Sequence, residues 1–222
     1  MEGFPEMILR HAKAALKHLG GPRVEHGSPL DATLLVVHVP LGSRDQAAVW
    51  LDGDGAYASR STEGRLVAGL VSFPDGAPLY PIYRIEAERA QQWQATRPTR
   101  RVEMYDYGAI SEDIQRHTIE SPIAGNSMPY WNWNYWPLKY RTRVLAAFSD
   151  GITSFRGPGG EPIDPALVIQ HLMTFKTTAG EFVKRRMRGF ARECAALGWV
   201  HTDDLAMAAV HFDDLPIDRS PT

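Results

Sequence analysis

The hydrophobic pattern of the first forty residues predicts a helix followed by a buried strand. After Pro5, apolar side chains recur at helical spacing until Gly20-Gly21-Pro22 ends the run: Ile8, Ala12, Ala15, Leu16 and Leu19. Residues 32–39, ATLLVVHV, are a continuous apolar run of strand length. Such a run is typical of a strand that is covered on both faces.

Three more strand-length segments follow within the next thirty residues, at 47–51, 56–61 and 66–71. Gly53-Asp54-Gly55 separates the first two and has the composition of a tight turn. The pattern therefore predicts an antiparallel meander over residues 32–72.

The rest of the chain mixes helices and strands. The pattern predicts helices over 86–95, 166–175 and 181–197, and strands over 144–148 and 205–212. Residues 120–140 contain three prolines and many aromatic side chains, which indicates a long loop or an irregular strand pair. Because strands and helices are clustered and do not alternate strictly, an α+β layered fold is favoured over a doubly wound sheet.

Composition limits the class of protein. The 222 residues are 44% hydrophobic and 23% charged, which predicts one globular domain over 1–215 with a flexible tail at 216–222. The net charge of −2 gives no general reason to expect nucleic acid as a partner, and no apolar run reaches the ~18 residues of a membrane span. A single cysteine, Cys194, excludes an internal disulfide and favours a cytoplasmic location.

The aspartates fall at the ends of predicted strands. Asp150 follows the strand 144–148, Asp203-Asp204 precedes the last strand, and Asp54 lies in the turn between two strands. Strand ends on one rim of a sheet can meet in space, and carboxylates gathered there repel one another unless a cation compensates. Hard oxygen ligands of this kind suit Mg²⁺ or Mn²⁺. Gly151 would let a water or a phosphate approach the backbone closely.

A structural explanation of the same residues is also open. Asp150 would cap a short helix that begins at Gly151, and Asp203 and Asp204 would be ordinary turn residues. No HExxH, CxxC, GxSxG or nucleotide-binding P-loop motif occurs, so zinc-protease, zinc-ribbon, serine-hydrolase and P-loop chemistry have no support.

Some further features are open to a structural and a functional interpretation. A basic cluster on the helix 181–197 is a solvated face paired with Glu181 and Glu193, or a docking surface for phosphorylated or acidic partners: Lys184, Arg185, Arg186, Arg188 and Arg192. WNWNYW, residues 131–136, either packs over the sheet or has a functional role, as a substrate-facing flap or as a platform on which bases stack. His38 is more readily explained as a hydrogen-bonded core histidine than as a ligand. His201 is close enough in sequence to Asp203 to lie near a metal.

Taken together, four short motifs resemble the metal-dependent protein phosphatases of the 2C class (PPM type). Ser149-Asp150-Gly151 matches that family's Ser-Asp-Gly at a strand end, and Asp203-Asp204 matches its acidic pair before the final strand. Gly53-Asp54-Gly55 and the preceding Ala32-Thr33-Leu34-Leu35 match its central turn and strand, in the same order. The resemblance spans roughly residues 31–212.

The resemblance implies an αββα sandwich, in which two stacked antiparallel sheets are flanked by helices. It implies hydrolysis of phosphoserine or phosphothreonine in a phosphorylated protein substrate by a water activated by Mn²⁺ or Mg²⁺. Asp150 and Asp203 would be metal ligands, with Asp54, Gly151, Asp204 and His201 in the surrounding shell; no side chain would act as nucleophile.

One family feature is absent from the sequence before residue 31, the Asp-Gly-x-Gly motif whose aspartate bridges both metals. The sandwich would then be incomplete at its N-terminus. The chain would be a fragment, a late-started reading frame, or a degenerate member in which metal is held weakly and turnover is impaired. The alternative function is a non-catalytic binding or regulatory module with the same fold.

Overall fold

The computed structural model describes residues 4–18, 32–39, 47–76, 78–96, 98–108, 114–122, 131–135 and 141–212. Within these ranges the fold is α+β, with four α-helices and a six-stranded antiparallel sheet as its largest element. The predicted tail at 216–222 lies outside the described residues.

The helices follow the sequence pattern closely. They are α1 (Phe4–His18), α2 (Ala87–Ala95), α3 (Pro165–Leu172) and α4 (Phe182–Leu197). Asp164 caps α3, since its carboxylate accepts a hydrogen bond from the Ala166 amide at 3.0 Å and Pro165 occupies the first turn. Gly198 ends α4 in the left-handed conformation, with φ of 69°. None of the helices in the described ranges is both long and apolar enough to cross a membrane.

Eleven strands are present in the described residues. They are β1 (Leu34–His38), β2 (Ala47–Asp52), β3 (Gly55–Ser61), β4 (Leu66–Ser72), β5 (Thr99–Tyr107), β6 (Ile114–Pro122), β7 (Trp131–Tyr135), β8 (Thr142–Phe148), β9 (Phe155–Arg156), β10 (Val200–His201) and β11 (Met207–His211). The large sheet has the order β11-β8-β3-β4-β5-β6, and a smaller one has the order β1-β2-β7. The pairings within both sheets are antiparallel.

Alternating side chains of the large sheet enter two separate cores. In β3, Ala56 and Ala58 face a core built with α3 and α4, whereas Tyr57 faces a core shared with β2 of the small sheet. In β8, Phe148 likewise enters the helical core and Leu145 the other. Since successive residues of a strand point to opposite faces, both faces of the large sheet are covered, which explains the continuous apolar runs.

The predicted meander over 32–72 is wrong in one respect. Two hairpins form as expected, β1 with β2 and β3 with β4, but β2 and β3 do not pair with each other. The turn at Gly53-Asp54-Gly55 carries the chain from the small sheet to the large one, so β3 pairs with β8 instead. Gly53 and Gly55 adopt φ of 105° and 148°, a region that L side chains rarely occupy.

A buried ion pair stands beside this crossing. Asp52, at the end of β2, accepts a hydrogen bond from Arg84 Nε at 2.6 Å, and the two side chains are 2% and 7% exposed. Arg84 belongs to a 3₁₀ turn at Pro81–Arg84 that leads towards α2. Burial raises the pKa of Asp52, while the hydrogen bond and charge of Arg84 oppose the rise.

The aromatic stretch 120–140 proves to be mostly strand where it is described. Residues 131–135 form β7, which pairs with β2 and completes the small sheet. The side chains of WNWNYW lie outside the description, so neither interpretation of them is tested. His38 lies on β1, half-buried, with its ring 5.2 Å from that of Trp50.

Candidate functional site

The predicted site residues come together at one end of the large sheet. Asp54 precedes β3, Asp150 follows β8, and Asp203 lies just ahead of β11. Because β3, β8 and β11 are adjacent and antiparallel, these three positions fall at the same end of the three strands. We call Asp54, Asp150, Asp203 and Asp204 the acidic rim.

The backbone of the rim is tightly joined. The Ser149 amide donates to the Ala206 carbonyl at 3.1 Å, and its hydroxyl donates to the Asp204 carbonyl at 3.1 Å while accepting from the Ala206 amide at 2.9 Å. Three hydrogen bonds from one residue thus fix the end of β8 to the segment before β11. The sequence indicated no role for Ser149 beyond its place in the Ser-Asp-Gly motif.

Gly151 has a different role from the one predicted. The sequence suggested that its missing side chain would admit a water or a phosphate. Instead, a Cβ at this position would overlap the backbone of Asp204, with the carbonyl carbon at 2.7 Å. Gly151 is required because two segments of the chain touch there, and that contact carries Asp203 and Asp204 to the rim.

The turn at Asp54 is held against the same strand end. A Cβ at Gly55 would lie 2.6 Å from the Phe148 carbonyl oxygen, so the turn packs directly on the last residue of β8. The Thr33 hydroxyl donates to Asp54 Oδ1 at 3.3 Å. Thr33 belongs to the Ala-Thr-Leu-Leu pattern, but the sequence alone did not identify Asp54 as its partner.

The carboxylates are close enough to repel one another. Burial, followed by the negative charge of Asp203, raises the pKa of Asp150. Burial, followed by the charge of Asp150, raises the pKa of Asp54, with Asp203 adding a smaller effect. The three carboxylates therefore repel one another. No cationic side chain of the described residues lowers the pKa of Asp54 or Asp150.

The simpler explanation of these aspartates is also present locally. Asp150 opens a 3₁₀ turn at Asp150–Thr153, and its Oδ1 accepts from the Gly151 amide at 3.1 Å. Asp203 Oδ1 accepts from the Asp204 amide at 2.8 Å. The turn thus begins at Asp150 and not at Gly151 as predicted, and Ser149 rather than Asp150 is its N-cap residue. A carboxylate has two oxygens with about four lone-pair sites, so these local hydrogen bonds and a bound cation are compatible.

His201 lies beside the rim and is exposed, but one of its ring nitrogens bonds to the backbone there. Its Nδ1 is 2.8 Å from the Asp203 carbonyl oxygen, which can only accept, so Nδ1 carries the proton. Its ring lies 5.3 Å from that of Phe155. His201 thus holds the backbone of Asp203 in place. Asp204 contributes its carbonyl and amide to the contacts described above, and its side chain is exposed.

The described residues contain no group of three or more His, Cys, Asp or Glu side chains arranged to hold a metal ion. The donors at the rim are therefore a loose set of carboxylates. Comparisons with protein-family models, with curated proteins and with solved structures give no match for this chain.

Proposed function

We propose that this chain is a metal-dependent phosphatase-like hydrolase of the PPM type, which removes phosphate from phosphoserine and phosphothreonine in proteins. The observation that supports this most directly is the meeting of Asp54, Asp150 and Asp203 at one rim, with raised pKa values for the first two. The motifs that led to the resemblance are remote in sequence, and the fold brings their acidic members together.

The donor set at the rim fits a divalent cation. Carboxylate oxygens are the hard ligands that Mg²⁺ and Mn²⁺ prefer, and Mg²⁺ is commonly held by one or two carboxylates while waters and substrate phosphate fill its other positions. Asp150 and Asp203 would hold the ion, and Asp54 would add negative charge beside it. Burial and, after it, the charge of Asp203 raise the pKa of Asp150, and a bound cation would relieve the repulsion from Asp203.

In this proposal the protein's own residues position the donors. The cation, when bound, lowers the pKa of a coordinated water and offsets the charge of the phosphate. Ser149 keeps β8 and the segment before β11 in register, His201 holds the Asp203 carbonyl, and Thr33 holds Asp54. These contacts keep the acidic side chains together in spite of their repulsion.

We propose the four-layer αββα arrangement as the architecture of this domain. Two observations support it: the large sheet carries α3 and α4 on one face, and it shares a core with the small sheet on the other. On α1, Ile8, Leu9 and Ala12 are partly covered and lie on one side, whereas Arg10 and Lys13 are exposed. Such a face is suited to cover the outer side of the small sheet.

A non-catalytic binding module is the second candidate. The absence of a closed group of three ligands among the described residues favours it, because two carboxylates alone hold a divalent ion weakly. Such a module would keep the acidic rim as a weak cation site without turnover.

The test combines binding with catalysis. Thermal unfolding with increasing Mn²⁺ and hydrolysis of p-nitrophenyl phosphate would be measured for the wild type, Asp150→Asn and Asp106→Asn. Asp106 is a carboxylate at the opposite end of the large sheet, paired with Arg65 at 3.0 Å, and serves as the matched control. We expect Mn²⁺ to stabilise the wild type and Asp106→Asn but not Asp150→Asn, with hydrolysis following the same order.

The outcomes separate the two candidates. Stabilisation by Mn²⁺ without hydrolysis would favour the binding module. Equal hydrolysis by the wild type and Asp150→Asn, or no response to Mn²⁺ in any of the proteins, would remove the phosphatase proposal.

A further inference from the structure

A second charged region lies at the far end of the large sheet. Residues 174–177, which follow α3, line two adjoining cavities. The larger, about 660 Å³, lies between this segment and α4, and the smaller, about 260 Å³, lies between it and the ends of β3 and β8. We call the two together the basic groove, because six cationic side chains line it in addition to Arg186: Arg60, Arg143, Lys176, Arg185, Arg188 and Arg192.

The charge in the groove is poorly compensated. Glu193 is the one acidic residue among the described lining residues, and Arg186 and His171 already bind its Oε2. Lys184 pairs with Glu181 at 3.2 Å, as expected for a solvated face, but Arg188 and Arg192 have no carboxylate partner among the described residues. The chain as a whole carries −2, so this excess is local.

The smaller cavity contains an arginine that is only partly exposed. No described group pairs with Nε of Arg60, which is buried, and the cavity has no acidic residue in its described lining. Burial lowers the pKa of Arg60, yet a guanidinium stays charged in proteins. A partly desolvated arginine without a carboxylate partner is expected to attract an anionic ligand.

The basic groove is separate from the acidic rim. Arg60 lies near the end of β3 and Arg143 near the start of β8, whereas Asp54 precedes β3 and Asp150 follows β8. Six residues of strand span about 20 Å. A ligand in the groove therefore does not occupy the candidate metal site.

The shape and chemistry of the groove indicate its occupant. Arginine binds phosphate in a bidentate geometry, and the hydroxyls of Thr62 and Thr177 add donors. Phe175 and Phe182, with rings 5.3 Å apart, give the larger cavity an apolar part. Cationic side chains beside an apolar part suit a polypeptide segment that carries both anionic and apolar side chains.

We infer that the basic groove is a docking site for a phosphorylated polypeptide segment. A phosphate occupies the smaller cavity at Arg60 and Arg143, and further anionic side chains of the segment lie along Lys176, Arg188 and Arg192. The site holds its partner about a strand length away from the acidic rim and needs no cation, so it operates whether or not the domain hydrolyses phosphate.

The test is a binding measurement with a defined probe. Fluorescence anisotropy would follow a labelled twelve-residue peptide with two phosphoserines, in EDTA so that metal-dependent hydrolysis is suppressed. The same peptide without phosphate, the same peptide with aspartate in place of phosphoserine, and a single-stranded oligonucleotide of equal length are the comparison probes. We expect the phosphopeptide to bind most tightly and its affinity to fall as salt rises.

Variants assign the binding to the groove. Arg188→Gln/Arg192→Gln changes two exposed side chains and should weaken phosphopeptide binding by about tenfold for each arginine. Arg143→Gln tests the smaller cavity through another exposed residue. The matched control, Arg89→Gln/Arg101→Gln, removes two charges from α2 and β5 and should bind as the wild type does.

Several results would overturn the inference. These are equal binding of the unphosphorylated peptide, tighter binding of the oligonucleotide, or unchanged phosphopeptide affinity in a folded Arg188→Gln/Arg192→Gln protein. Hydrolysis of p-nitrophenyl phosphate with Mn²⁺, measured on the same variants, separates failure of this inference from failure of the phosphatase proposal. A docking defect should leave the hydrolysis of that small substrate unchanged.

Discussion

The backbone of Gly151 lies directly against the carbonyl group of Asp204, and a Cβ at position 151 would stand 2.7 Å from its carbonyl carbon. This contact joins the end of β8 to the segment that carries Asp203. Since the Ser149 hydroxyl also makes hydrogen bonds across this junction, the two acidic segments are joined by backbone contacts and by that hydroxyl rather than by their carboxylates. The rim is thus held together by contacts within the chain.

Substituting this glycine should open the junction. Gly151→Ala forces the Asp204 backbone away, and overpacking of this kind costs about 1–3 kcal/mol. Gly189→Ala is the control, because its Cβ would meet only Arg186 at 3.6 Å and alanine favours the helix by about 0.5–1 kcal/mol. Chemical denaturation should show a loss for the first and a small gain for the second. Two variants of equal stability would contradict the tight junction.

Neutralising one carboxylate should stabilise the metal-free protein. Asp150→Asn keeps the acceptor for the Gly151 amide but removes the repulsion from Asp203 and Asp54. Because Asp150 is only partly buried, we expect a gain of about 0.5 kcal/mol at pH 7. Thermal unfolding in EDTA measures it. A clear decrease in stability would contradict this expectation, because it would show that the Asp150 carboxylate makes a net favourable interaction in the folded protein.

The Asp52–Arg84 pair should be strongly coupled. Removing one partner leaves the other charge buried, so Asp52→Asn or Arg84→Met alone should cost about 3–5 kcal/mol. The double variant Asp52→Asn/Arg84→Met should lose less than the sum of the two. A double-mutant cycle from urea denaturation provides the measurement, and strict additivity would argue against a direct interaction.

The contribution of Glu193 should depend on pH. Its hydrogen bond from Arg186 lowers the pKa of Glu193, so the stabilisation is present above the pKa of the unfolded chain, about 4.3, and is lost as pH falls through the lower folded value. Glu193→Gln should therefore cost about 1 kcal/mol at pH 7, a value reduced because Glu193 is partly exposed, and much less near pH 3. The measurement is the free energy of unfolding of the wild type and of Glu193→Gln at the two pH values. If the loss of stability is the same at both, the effect comes from packing and not from charge.

Local patterns predicted a large part of the fold. The helix over 86–95 and the strand over 144–148 match α2 and β8, because helical periodicity and continuous apolar runs are properties of neighbouring residues. The strands β5 and β6 were not predicted. Their sequences, TRRVEMYDY and IQRHTIESP, are rich in charge, which weakens the apolar signal. In β6 the side chains at 115–120 are exposed, as is typical of an edge strand.

The sequence by itself determined that Asp54, Asp150 and Asp203 stand at the ends of short apolar strands, since strand ends and turns are encoded locally by glycine, aspartate and hydrophobic runs. Only the tertiary structure decided that β3, β8 and β11 are neighbours, that the turn after β2 crosses between sheets, and that Arg60, Arg143 and Arg188 line one groove. The physical reason is that strand order depends on which faces become buried together, and this is a property of the packed chain rather than of any segment within it.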